Sequence, residues 1–153
     1  MMTQLEIKFE LQQQCKDLIK YRHERIAKTI SDIEFSLKEE SKSTSGDKHH
    51  TGRAMLQIDR ENAGNQLREI EKVMRQLEKV DISTTSETIR LGSIVETNQA
   101  IFFMSISVGK LEINNTIYLA VAPNSPIGMN LLGKTIGEQF SFNSNLYKIE
   151  KVF

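Results

Sequence analysis

The 153-residue chain has a single cysteine, Cys15. One thiol cannot close an intrachain disulfide or build a multi-cysteine zinc site, and a reducing compartment suits such a chain. Net charge is missing too. Twenty Lys and Arg offset twenty Asp and Glu, so no global basicity draws the protein onto nucleic acid or anionic lipid. No apolar run approaches the ~18 residues of a membrane helix, and the opening MMTQLEIKFE lacks the apolar stretch and small-residue cleavage site of a secretory signal. A cytoplasmic protein with no membrane partner is expected. Hydrophobic residues at 39% and charged residues at 26% still place the chain outside the disordered regime. Its length fits one ordinary domain or two small ones.

What is present is unevenly spread. Residues 1–83 hold fifteen of the twenty basic and fifteen of the twenty acidic side chains, whereas both prolines, Pro123 and Pro126, and most aromatics come later. The order predicted is helices first, strands second. Apolar residues recur at Leu11, Cys15, Leu18 and Ile19, then at Ile26, Ile30, Ile33 and Leu37, interrupted by Arg22. The pattern resumes as a heptad seam at Leu56, Ala63, Leu67, Ile70, Met74 and Leu77. Each stripe is narrow and flanked by charge, so packing seam on seam as an antiparallel coiled-coil hairpin over 1–82 is the simplest solution. An arm of about 27 residues reaches roughly 40 Å.

Between the arms, residues 39–53 contain no aliphatic, aromatic or cysteine side chain. Read without a partner, this tip is a solvated turn in which Ser43 to Gly46 break the helix and Asp47 stabilises the dipole of the second arm. Read functionally, an exposed acid carried on a long arm can coordinate a hard cation. His49 and His50 point about 100° apart on a helix and cannot chelate one ion together. Asp47 and His50, three apart, can face one way, and an ion pair is the expected local outcome. Cys15 sits in the apolar stripe and reads as a core thiol.

After the polar stretch 81–86, strands are predicted at 89–95, 100–108, 115–121, 140–142 and 146–152. Turns are expected at Gly92, Gly109, Asn114-Asn115 and 143–145. One short helix starts at the N-cap Ser125 with Pro126 at its first position, and Gly133 closes it. The fold class expected is α+β: a helical hairpin, then a small β-rich domain over 83–153 with one short helix.

The run Asn124-Ser125-Pro126-Ile127-Gly128 through Leu131-Leu132-Gly133-Lys134, followed by Gly137-Glu138 and a final strand, resembles the FKBP-like C-terminal domain of the Gre transcript-cleavage factors. Gly92-Ser93-Ile94-Val95 resembles that domain's opening strand, and Gly46-Asp47 matches the Gly-Asp of the family's acidic tip. The resemblance implies a monomeric partner of bacterial RNA polymerase that is not itself an enzyme. Its coiled coil would enter the secondary channel, so that Asp47 helps hold a Mg²⁺ ion shared with the polymerase and the polymerase cleaves backtracked nascent RNA. The family pattern Gly-Asp-x-x-Glu-Asn has a second carboxylate where this chain has His50. Mg²⁺ binds imidazole poorly, which leaves His50 to position water or move a proton, and Glu39 and Glu40 across the loop as substitute ligands. Lys42, Lys48 and Arg53 near the tip, with Ser125, Pro126 and Lys134 at the short helix, are the expected partner contacts. Three readings stay open: a cleavage-promoting factor, a Gre-like polymerase regulator without efficient cleavage, and a coiled-coil adaptor or FKBP-like prolyl isomerase with Phe102, Phe103, Tyr118, Phe140 and Phe142 around proline.

Overall fold

The computed structural model describes residues 1–42 and 48–153, and of residues 48–51 the helical backbone alone. Thr3-Gln4-Leu5-Glu6 opens the first helix as a capping box: the Glu6 amide donates to Thr3 Oγ1 at 3.1 Å and the Thr3 amide to Glu6 Oε1 at 3.4 Å. α1 then runs unbroken over Gln4–Lys42, and α2 over Lys48–Glu78. Arg22 is exposed and does not interrupt α1. Contacts divide the chain into two units, Ile19–Met74 and Met1–Leu18 with Arg75–Phe153.

In Ile19–Met74 the heptad positions do what their spacing predicts. Ile26, Ile30 and Ala63 are buried, with Ile33, Leu67 and Ile70 packed around them. Arg60 Nε meets Glu34 Oε1 at 3.1 Å and Arg53 reaches the Leu37 carbonyl at 3.2 Å, so the two helices run antiparallel. Burying each isoleucine stabilises by roughly 2 kcal/mol, whereas an ion pair as exposed as Arg60–Glu34 is worth at most about 1 kcal/mol. The seam holds the pair and the charges keep it soluble.

The other unit is built on six strands: β1 Ile94–Thr97, β2 Ile101–Met104, β3 Gly109–Ile113, β4 Thr116–Val121, β5 Gln139–Phe142 and β6 Asn145–Val152. Their spatial order is β3-β4-β2-β1-β6-β5, antiparallel throughout except that β4 runs parallel to β2. Asn114 and Asn115, and Asn143 and Ser144, all adopt positive φ, the geometry of two-residue hairpin turns. β3 was not predicted: Gly109-Lys110-Leu111-Glu112-Ile113 offers only two apolar residues, and its pairing with β4 supplies the rest. β1 starts at Ile94 rather than 89, because residues 89–93 turn, with the Ser93 amide on the Arg90 carbonyl and the Arg90 amide on Ser93 Oγ.

The sheet has two covered faces. On one, Val95, Phe102, Met104 and Ile149 form a core closed by Ile89 and by Leu131 of α3 (Pro126–Leu131). Pleating turns Ile94 and Phe103 to the other face, where both are fully buried. The base of α1 joins the sheet unit by several contacts: Cys15 lies beside the Ser105 hydroxyl, Gln14 Nε2 donates to the Glu112 carbonyl at 3.0 Å, and Lys8 Nζ lies 6.0 Å from the Phe153 ring centroid.

Lys8 is the unexpected member of this packing. It is 1% exposed and donates to the Thr84 carbonyl at 3.3 Å. Burial holds its ammonium below the usual lysine range, Arg90 pushes the same way, and Asp81 opposes both. The unfolded chain therefore binds this proton more tightly than the folded one, and the penalty is present at neutral pH and lost as pH rises towards 10.5. Lys8→Met should stabilise the protein by on the order of 1 kcal/mol at pH 7. In thermal melts its advantage should narrow as pH rises; an advantage that grows would overturn this account.

Candidate functional site

The end of the helix pair is polar by sequence and ordered by Arg53. From α2 the guanidinium reaches across to α1, donating to the Leu37 carbonyl and to Ser41 Oγ. Ser41 Oγ itself donates to the Leu37 carbonyl at 3.0 Å, so Arg53 joins an existing pair and acts as a clasp on the end of α1. Together with Leu37, Lys38, Ser41 and Lys42 it lines a surface cleft of about 360 Å³. Three of the five lining residues, Lys38, Lys42 and Arg53, are cations.

The acids nearby are placed differently from one another. Glu39 is exposed and pairs with Lys42 at 3.6 Å. Glu40 turns towards α2, its Oε1 lying 3.5 Å from where a Cβ would stand at Gly52. The side chains of Lys48 and His50, and Asp47 altogether, lie outside the described residues. Among the described residues no three His, Cys, Asp or Glu side chains are grouped to hold a metal ion.

Local chemistry of the second site matches its sequence. Ser125 caps α3: its Oγ accepts from the Gly128 amide at 3.1 Å and donates to the Ala122 carbonyl at 2.6 Å. Pro126 occupies the first helical position, where its missing N–H costs nothing. Leu132 is the C-cap, and Gly133 follows it with φ at +84°. Beyond the helix, Lys134 Nζ lies 5.4 Å over the Phe140 ring. α3 and the following loop leave Met129, Leu132 and Ile136 exposed, an apolar outer surface the sequence reading did not single out. The signal was available: Leu131 ends the six-residue helix and Leu132 follows as its C-cap, and of two adjacent leucines there only one can face the core.

The aromatics proposed to surround a proline are otherwise engaged. Phe102, Phe103 and Tyr118 are buried. Phe140 stacks on Tyr147, with ring centroids 5.1 Å apart, and Phe102 tilts against the same Tyr147.

Cys15 is fully buried, and burial pushes its thiol up to about 11 against a weak opposing pull from the Ser105 hydroxyl. At pH 8 only about a thousandth of such a group is thiolate, the reactive form. Native protein should therefore resist a thiol reagent at pH 8, with labelling that follows unfolding. Rapid stoichiometric labelling of the folded protein would contradict this placement.

Among the described residues no helix is long and apolar enough to cross a membrane. Compared with known proteins, the chain matches no family model and no curated protein.

Proposed function

We propose that the chain is a Gre-type cytoplasmic factor that binds bacterial RNA polymerase as a monomer and promotes cleavage of backtracked RNA. In this reading the sheet and α3 form an FKBP-like docking domain and the helix pair carries the tip into the secondary channel. Asp47 then lends a carboxylate to a Mg²⁺ ion held chiefly by the polymerase, which activates water on the RNA. The observation that carries the proposal is the form of the Ile19–Met74 unit. A helix pair whose α1 segment from Ile19 to Lys42 extends about 36 Å encloses only a thin seam, and its end is polar and clasped by Arg53. Such an element has little core to offer and is suited to present its end to something else. The resemblance of 124–134 and Gly46-Asp47 to the Gre pattern supplies the polymerase as partner, and the capped α3 is consistent with the role of Ser125 and Pro126 in it.

One residue favours a second reading. His50 replaces the acid expected three positions after Asp47, and losing one hard ligand weakens a Mg²⁺ site, so a polymerase-binding regulator with little cleavage activity is the alternative. A single experiment separates the two. Stalled, backtracked elongation complexes are given Mg²⁺ and the protein, and the RNA is followed. Shortened transcripts with a released 3′ fragment support the cleavage factor. Altered pausing without cleavage supports the regulator. Failure to bind polymerase at all rejects both.

A further inference from the structure

The base of α1 carries two unlike faces. One, with Lys8, Leu11 and Cys15, is buried. On the other, Leu5 is 55% and Phe9 60% exposed, and their spacing of four sets them one above the other on the helix. Met2, just before the helix, extends the same surface and is held by Asn114, whose Nδ2 lies 3.9 Å from its Sδ. Met2, Leu5, Glu6, Phe9 and Glu10 line a surface hollow of about 480 Å³. Large apolar side chains gathered in one exposed place, rather than scattered singly, mark a contact surface. The proposed cleavage chemistry uses none of them.

The charges beside this surface say what covers it. Glu6 and Glu10, also four apart, border the apolar side chains on one side, and the exposed Asp17 continues that side two turns further on. Glu6 Oε1 accepts from the Thr3 amide and Glu10 Oε1 from Gln14 Nε2. Among the described residues none of the three acids makes an ion pair. A second copy would set these acids against themselves, and an anionic lipid surface or an acidic segment meets the same repulsion. A partner with an apolar ridge and a cationic flank is attracted on both counts. Leu5 and Phe9 stand at helical spacing over the first turns of α1, which matches the ridge of another helix.

We propose that the exposed face at the start of α1 docks a basic amphipathic helix of another protein, with aliphatic side chains against Leu5 and Phe9 and Lys or Arg against Glu6 and Glu10. Lys16, exposed two turns beyond Phe9, ends the apolar surface and confines the contact to the first turns of α1. No residue of the tip takes part, so an inactive factor in cleavage assays leaves this site standing, and loss of this site leaves the cleavage reading standing.

The test is fluorescence anisotropy of the full chain with a labelled model helix of about four turns, built of leucine and lysine with leucines at spacings of three and four, and with a counterpart carrying glutamate for lysine. The lysine peptide should saturate with a dissociation constant of about 50 µM, at the weak end of specific interfaces, and the glutamate peptide should not bind. Phe9→Ser should weaken the lysine peptide at least about tenfold through lost apolar contact. Glu6→Gln combined with Glu10→Gln should weaken it about fivefold and reduce its dependence on salt. Met129→Ser, on the exposed surface of α3, should change nothing. Thermal melts of all variants should match the wild type, which excludes misfolding as the cause. No saturation at about 500 µM chain, equal binding of the glutamate peptide, or a loss in Met129→Ser as large as in Phe9→Ser would each overturn the proposal. Sedimentation of the chain alone that shows a dimer abolished by Phe9→Ser would assign the face to a second copy and overturn it as well.

Discussion

Asp47→Ala is expected to lower cleavage of backtracked RNA by at least about 100-fold, since even residues one step removed from a metal cost 10- to 100-fold when lost and Asp47 is proposed as the ligand itself. Polymerase binding should survive, because docking is assigned to the sheet unit. The converse change is as informative. His50→Glu restores a second hard oxygen three residues from Asp47, on the same side of a helix, and should raise cleavage and lower the Mg²⁺ concentration needed for it. The measurement is single-turnover RNA cleavage at several Mg²⁺ concentrations. Cleavage that survives Asp47→Ala would remove Asp47 from the metal, and His50→Glu with no gain would show that geometry and not ligand chemistry limits the tip.

The largest stability effect is expected from Gly128→Ala. A Cβ at Gly128 would collide with the Ala122 carbonyl oxygen and stand 2.8 Å from Ser125 Oγ. The obstacle is backbone, so α3 itself must shift, and Leu131 would shift with it out of the core it closes. A cost of about 3 kcal/mol is expected, roughly 10 °C or more in melting temperature for a unit of this size. Gly133→Ala is the control. Its φ is +84° but nothing lies within 4 Å of the added carbon, so only backbone conformation is penalised, by about 1 kcal/mol. Equal losses in the two variants, measured by thermal melts, would mean that α3 does not sit against Ala122 as described.

Gly128 also shows where the limit of sequence reading lies. Ser125, Pro126 and Gly133 mark the beginning and end of α3 by rules that act within one helical turn, and all three were legible. That Gly128 must lack a side chain depends on a carbonyl brought close by the β4–α3 connection, which no spacing rule reports. Arg53 is similar. Its charge near the tip was evident, but its bond to the Leu37 carbonyl follows from the register of two helices. In the candidate site the residue types at 39–53 were readable, while Glu39 and Glu40, adjacent in sequence, separate towards Lys42 and towards Gly52 only because α2 packs along one side of α1.

What the sequence determined by itself is the succession of helices and strands, the seam at Ile26, Ile30 and Ala63, the asparagine turns and the capped α3. Each rests on periodicity or on the conformational preference of one or two residues, and these are local forces. Tertiary structure alone decided that Gly109–Ile113 is a strand, that β4 lies between β3 and β2, that Lys8 is buried under Thr84 and that Ser105 is buried beside Cys15. Those outcomes join residues distant in sequence, 76 positions apart for Lys8 and Thr84. Their energies exist only once the helix base and the sheet have excluded water from between them.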